Sequence, residues 1–379
     1  MEDGHHIVVL GGGYAGLTTA ARIAEANTGA SVTLIDRKTE FVERIRLHEI
    51  AAGSVPRDLA YETFMSSRSG DFRQASVSAI DLDHQTLSFE GEPGSVNWDT
   101  LVYALGSHTN LDSVDGVREH AVVLDDMDAC RSLYEQLRKA PVGTKILIVG
   151  GGLTAIEAAC EFAERLPDLD VTLAVGTSFA PSNEPGGLSR LAVDYLQSVF
   201  DRLKVRVLVG SRVASIQRDA ATFEDGPTET FDVCLWAAGF SVPPLAKQSG
   251  LAVNETGQIE TDDTLASISH PNVLAVGDAA EVIADPGGRC RMSCATGRPM
   301  GELAAKTTLG RVMSSTSDPF NFGYSFRCVS LGRKDGLIQF VDAEDCPVAE
   351  VWTGARGARW KEYICQRTLQ GIGFDVDVG

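Results

Sequence analysis

His6 to Gly16 reads HIVVLGGGYAG, and Lys145 to Ala155 reads KILIVGGGLTA. Both are apolar runs that end in three glycines, and the match continues in step, with Val32-Thr33-Leu34 answering Val171-Thr172-Leu173. A buried strand running into a glycine turn that opens a helix is the phosphate cradle of a βαβ unit. A second echo follows each unit: WDTLVYALG from Trp98 to Gly106, and FDVCLWAAG from Phe231 to Gly239. The repeat predicts two dinucleotide-binding units in one chain. Two dinucleotides facing one another predict electron transfer between them.

In the first cradle Gly11, Gly13 and Gly16 frame Tyr14 and Ala15. The glycines permit the tight turn, the approach of a pyrophosphate to the backbone, and close packing of helix on strand, while the helix N-terminus adds N–H donors. Asp36 lies about 20 residues after Gly16, where a carboxylate accepts hydrogen bonds from a ribose diol. Arg37 follows it. The second cradle has Gly150, Gly152, Leu153 and Thr154, with Ala155 in place of the third glycine. Its ribose position falls on Val175, followed by Gly176, Thr177 and Ser178, and the next basic residue along the chain is Arg190. That leaves NADH versus NADPH open, with a slight lean to NADPH or dual use.

At 379 residues the chain is long enough for two to three domains. A net charge of −19 argues against nucleic acid or anionic lipid as the main partner. Local basic residues remain at Arg37, Lys38, Arg44 and Arg46. No apolar run is long enough for a membrane helix, and a strand beginning by Ile7 leaves no room for a signal peptide. The eight cysteines are scattered, in neither a disulfide framework nor a zinc pattern. The expectation is a cytoplasmic protein without bound metal, transmembrane segment or peripheral membrane contact. His5 and His6 read as solvent-exposed residues entering the first strand.

Residues 41–74 read as irregular, and 75–102 as an antiparallel meander of short strands. A linker at 110–128 leads to the second unit, which carries its own short strands within 203–236. A helix is expected near 295–309, and strands at 326–330, 337–341 and 348–352 precede a closing helix near 356–370.

One further motif, Leu274-Ala275-Val276-Gly277-Asp278, is an apolar strand ending in Gly-Asp. Together with the two cradles it resembles the two-dinucleotide-binding-domain flavoproteins of the pyridine nucleotide-disulfide oxidoreductase fold. Within them the chain is most similar to type II NADH dehydrogenases and apoptosis-inducing-factor-like reductases, over roughly residues 6–310. The resemblance implies an α/β fold of two Rossmann-like domains, each with a small antiparallel meander, plus a small α+β C-terminal domain. Residues 1–110 and 263–318 would form the FAD-binding domain, 111–262 the NAD(P)-binding domain, and 319–379 an interface domain through which this fold commonly dimerises, leaving a homodimer open. It also implies FAD on the first cradle, with Asp278 at the ribityl chain beside Gly277, and with Arg44, Val77, Ala104 and Gly106 nearby. NADH or NADPH would take the second cradle, with Gly239 at the crossing and Glu157 near the nicotinamide. Hydride would pass from NAD(P)H to flavin N5, and electrons to a quinone-like or other small acceptor.

The chain also departs from relatives. Positions 36–129 contain no Cys, and Cys160 and Cys234 are isolated, which argues against a dithiol relay. The stretch Arg291 to Gly301 lacks the Gln that type II dehydrogenases place where quinone docks, and a long C-terminal membrane extension is missing. Cys290 and Cys294 would share one face of a helix, and the resemblance places Cys294 beside the flavin, which makes Cys294 a candidate catalytic residue; Glu157 is another, through the match to the family glutamate. A flavin-bound redox sensor with slow turnover, or a tailoring enzyme for a specialised metabolite, fits the same motifs.

Overall fold

The computed structural model describes residues 4–177 and 179–377. Ile7, Val8, Val9 and Leu10 are apolar without alternation because strand His6–Leu10 is covered on both faces. It lies between Ser31–Asp36 and Thr100–Tyr103, parallel to both, and Asp71–Gln74 and Val273–Ala275 complete a five-stranded parallel sheet. The second sheet repeats the order with four parallel strands: Arg206–Val209, Leu169–Val175, Thr144–Val149 and Val233–Trp236. Each unit inserts a three-stranded antiparallel meander before its last cradle-side strand, Val77–Asp81 to Glu92–Asn97 in one and Val213–Ile216 to Thr228–Thr230 in the other.

The second sequence echo has a backbone cause. Asp99 Oδ2 accepts from His6 N at 2.6 Å while Asp99 N donates to His6 O at 2.8 Å. Asp232 does the same to Lys145, at 2.8 and 2.9 Å. In both units the aspartate locks the crossing strand to the start of the cradle strand, and the preceding Trp98 or Phe231 is buried.

The short strands expected within 203–236 divide, Arg206–Val209 and Val233–Trp236 joining the parallel sheet and the three between them forming the meander. Two expectations need correction. Residues 41–74 are ordered: helices Leu47–Ala51 and Tyr61–Ser66 lead into strand Asp71–Gln74. His5 and His6 are half-buried, His5 Nε2 meeting Thr100 Oγ1 at 2.8 Å and His6 Nε2 meeting Thr33 Oγ1 at 3.0 Å, so both tie strands together.

Three cores hold the described residues; one packs Leu147, Val149, Ala174 and Trp236, on one face of the four-stranded sheet, against the second meander, and the other two reach the tail. Of these two, the first gathers the five-stranded sheet, helix Tyr14–Glu25 and helix Cys294–Val312; the second gathers the four-stranded sheet and helices Met127–Leu137, Leu153–Arg165 and Arg190–Leu203. Val42, Leu47, Ile50 and Ala51 leave the first unit in sequence but bury in the second core. The tail bridges both. Val329, Leu331 and Leu337 of its sheet join the second core, while Leu369 and Ile372 of helix Gly354–Ile372 join the first. A buried Leu or Ile contributes about 1.5–3 kcal/mol by leaving water, so these side chains fix the two cradles relative to each other.

Candidate active site

The glycines of the first cradle divide by role. A Cβ on Gly11 would stand 2.4 Å from Ala104 O, and one on Gly16 would stand 1.9 Å from Gly11 O, so these two exist for packing. Gly13 is the opposite: nothing lies within 4 Å of the place its Cβ would take. It caps helix Tyr14–Glu25 without a side-chain hydrogen bond, so the first N–H groups of that helix face open space. Ala15 and Gly16 are buried inside the turn. Tyr61, which gave no sequence signal, closes the back of the loop by donating from Oη to Gly12 O at 2.8 Å. Asp36 Oδ2 accepts from Gly12 N at 2.7 Å and Oδ1 from Lys38 N at 2.8 Å. A carboxylate has about four acceptor sites, so lone pairs remain for a ribose.

The second cradle reproduces this frame. A Cβ on Gly150 would meet Ala237 O at 2.6 Å, Gly152 again has nothing within 4 Å, and helix Leu153–Arg165 starts without a side-chain cap. Ala155 is buried, Leu153 half-buried and Thr154 exposed. Val175 ends its strand buried and apolar. The crossings carry matched left-handed glycines, Gly106 at φ +67° and Gly239 at φ +76°. Open, uncapped helix N-termini behind close-packed glycine turns fit the pyrophosphate of a dinucleotide in both units.

Gly277, at φ +69°, brings Asp278 to Ser107, whose Oγ donates to it at 2.6 Å. Arg44 donates to Ser107 O at 2.8 Å and lies 3.9 Å from Asp278 and 3.6 Å from Asp125. Thus Arg44, Ala104, Gly106, Gly277 and Asp278 gather beside the first cradle. The side chain of Arg37 is exposed, its carbonyl accepting from Gln74, and Val77 is half-buried at the start of the meander. Arg46 is not a surface arginine: it is buried among Glu43, Glu49 and Glu362, bonding Glu362 at 2.7 and 2.8 Å.

Glu157 is likewise buried rather than on a helix surface. Three elements converge on it: Lys361 Nζ of the closing helix at 2.9 Å, Ser330 N of the tail sheet at 2.9 Å, and His48 Nδ1 of the short helix at 3.9 Å. Burial alone would raise the Glu157 carboxyl, but Lys361, His48 and the Ser330 N–H outweigh it and hold it below the ordinary carboxylate range. Burial opposes the charge on Lys361 and is overcome by Glu157, so the ammonium is held above its usual value. Burial dominates at His48 and pushes it down, despite Glu157 and Glu49. Tyr14 Oη and His48 Nε2 are buried with no hydrogen-bond partner among the described residues. Lys361 and His48 escape sequence reading because nothing local marks them; the return of the tail brings Lys361 to Glu157, and the burial of helix Leu47–Ala51 in the second core brings His48.

The helix that carries Cys294 begins at that residue, and Cys290 sits before it, buried in the first core, so the two thiols do not share a helical face. Burial pushes the Cys294 thiol up, with Lys361 pulling the other way, and pushes Cys290 up to about 11. A cavity of about 490 Å³ opens beyond Arg46, with Phe41 and Val55 of the first unit, Arg165 of the second and Arg333 of the tail in its lining.

A chain that ends two buried strands in open, uncapped phosphate cradles is built to hold two dinucleotides. The family model described as pyridine nucleotide-disulphide oxidoreductase matches residues 5–301, and the chain belongs to that family, whose members couple FAD to a pyridine nucleotide. The type II NADH:quinone oxidoreductase of Staphylococcus aureus (strain MSSA476) is 27% identical over 404 residues, 98% of this chain and 97% of that protein. The sulfide:quinone oxidoreductase of Aquifex aeolicus superposes with a TM-score of 0.83 at 16% identity, covering 97% of this chain and 91% of its own. NDH2 of Plasmodium falciparum, in complex with NADH, gives 0.82 at 14% identity, over 97% and 96% of the two chains. No described helix is long and apolar enough to cross a membrane.

Proposed function

We propose that the protein is an FAD-dependent NAD(P)H oxidoreductase that passes electrons to a small acceptor of quinone type. The observation that carries this reading is the pair of open cradles, the second of whose helices buries Glu157 against Lys361. The flavin, when bound, supplies the redox chemistry, taking a hydride's two electrons from the nicotinamide and releasing them to the acceptor. The residues do the placing. Gly11, Gly13, Tyr14, Ala15, Gly16, Asp36, Arg37, Arg44, Val77, Ala104, Gly106, Gly277 and Asp278 hold FAD; Gly150, Gly152, Leu153, Thr154, Ala155 and Gly239 hold the nicotinamide coenzyme. Residues 1–110 with 263–318 then form the flavin unit, 111–262 the nicotinamide unit and 319–379 the tail. Glu157, fixed by Lys361 and Ser330, is a positioning residue that keeps one negative charge at a set point near the nicotinamide.

The cavity beyond Arg46 serves as the acceptor's approach, because all three parts of the chain line it. Its arginines and carboxylates favour a polar head group over a bare hydrocarbon. The scattered spacing of the eight cysteines, in no disulfide framework, supports the expected cytoplasmic setting. Anaerobic stopped-flow mixing with NADH or NADPH, followed by a short-chain quinone, ferricyanide or oxygen, tests the reading. Fast bleaching of the flavin band with catalytic reoxidation is expected, and Val55→Trp at the cavity mouth slows reoxidation without slowing reduction. Bleaching that is slow and ends in a long-lived complex with every acceptor rejects turnover and leaves a redox sensor.

A further inference from the structure

The second cradle's ribose corner is apolar in sequence, yet the fold brings a cation to it. Ser211 N donates to Val175 O at 2.9 Å and Gly210 N to Thr177 O at 3.3 Å, so the turn after strand Arg206–Val209 runs along the corner. Arg212 follows immediately: a Cβ on Gly176 would touch its Cα, Cβ and Cγ at 3.6, 3.7 and 3.9 Å. On the cradle side, Thr177 Oγ1 would stand 3.9 Å from a Cβ on Gly151. Arg212 is therefore beside the end of the cradle although far from it in sequence. Its side chain is 64% exposed, and its ion pair among the described residues is a loose 3.6 Å approach of Nε to Glu224, itself 52% exposed. Such an exposed pair is worth about 0–1 kcal/mol and yields readily to a stronger anion.

We infer that Arg212 reads the 2′-phosphate of NADPH, with Thr177 as a second donor, and makes NADPH the preferred reductant. The inference rests on the reading of the second cradle as the NAD(P)H site. A 2′-phosphate carries most of two negative charges near neutral pH, and the planar guanidinium pairs with it through two parallel hydrogen bonds. No carboxylate at position 175 repels it, whereas Asp36 holds that place in the first cradle. Glu224 is the competing charge, and it turns toward solvent when the phosphate takes its partner.

The test uses the flavin-loaded protein and two adenosine fragments, 2′,5′-ADP and 5′-AMP, in titration calorimetry. The wild-type chain binds 2′,5′-ADP more tightly, and Arg212→Ala loses about tenfold to a hundredfold in that affinity. Arg212→Lys recovers part of it, since a point charge replaces a bidentate fork. The ratio of kcat/KM for NADPH over NADH falls in parallel. A wild-type protein that binds 5′-AMP as well as 2′,5′-ADP overturns the inference, as does Arg212→Ala weakening both fragments equally, which would mean that Arg212 stacks on adenine. If NADH alone reduces the protein, the inference falls while the oxidoreductase reading stands. If neither nucleotide binds, both fall.

Discussion

In the first cradle the strand after the helix ends in Asp36, whose carboxylate reaches back to Gly12 N, and the helix presses so near its turn that Gly16 has no room for a side chain. In the second the strand ends in buried Val175, and the helix stands far enough off that Ala155 fits, its Cβ 3.2 Å from where one on Gly150 would be. The cause lies behind the helices. Helix Cys294–Val312 presses on Tyr14–Glu25 through Gly301, whose Cβ would come within 2.4 Å of Ala15 O. The second cradle helix instead carries the buried acids Glu157 and Glu161, which meet the tail and the short helix Leu47–Ala51. The turns are alike because each packs on an alanine carbonyl of its crossing strand. On the proposed assignment, what lies beyond the turn is where the flavin cradle and the nicotinamide cradle differ.

Gly16→Val should have the largest effect, because a Cβ 1.9 Å from Gly11 O displaces the helix from the strand. Soluble yield and bound flavin should both collapse. Ala155→Gly at the matching position costs only about 1 kcal/mol in helix propensity, read by urea denaturation. A Gly16→Val protein that purifies with full flavin would break the contrast.

Lys361→Met comes next. It strands a buried carboxylate, for which the expected loss is about 3–5 kcal/mol of unfolding free energy. Adding Glu157→Leu should return most of it, since a buried ion pair replaced by apolar groups is often neutral. Failure of the double variant to recover would place the importance of Glu157 outside the pair.

A smaller, pH-dependent effect belongs to Glu161 on the same helix. Arg333 Nε lies 2.9 Å from its Oε1 and 3.0 Å from its Oε2, but only Oε2 is aligned to accept, so Oε1 stays unsatisfied. Burial raises this carboxyl to about 7 from its ordinary 4.5, against the pull of Arg333. A folded-state value above the unfolded one means that folding takes up a proton. The contribution is therefore full below pH 4.5 and is lost as pH rises through about 7. Thermal unfolding of Glu161→Gln should lack that slope. The first cradle helix buries no acid and should show no counterpart. Least of all, Cys294→Ser should leave reduction and reoxidation rates unchanged, since burial keeps the thiol protonated.

Much of this was legible before folding was considered. The repeated strands, the glycine turns, the meanders and the tail's strand and helix runs are local signals, written in apolar periodicity and in backbone positions that only small residues tolerate. The Asp99 and Asp232 echo was legible as a repeat but not as a backbone lock. What could not be read was whatever depends on chain return. Val42, Leu47 and Ile50 bury in the core of the other unit, Lys361 arrives at Glu157 from the last helix, and Arg212 reaches Gly176 across a parallel strand pair. Arg46 read only as one of several local basic residues, because the partner that closes its buried cluster, Glu362, comes from the last helix.

The assignment of the two cradles is tested most directly by placing a carboxylate where each pyrophosphate would sit. Gly13 and Gly152 have φ of −70° and −82° with open space ahead, so Gly13→Glu and Gly152→Glu should both fold. The measurement is the flavin spectrum of each purified variant before and after anaerobic NADPH and NADH. The account predicts a folded, colourless Gly13→Glu protein, and a yellow Gly152→Glu protein that dithionite bleaches but neither nucleotide does. A yellow Gly13→Glu variant, or a Gly152→Glu variant bleached at the wild-type rate, would contradict it.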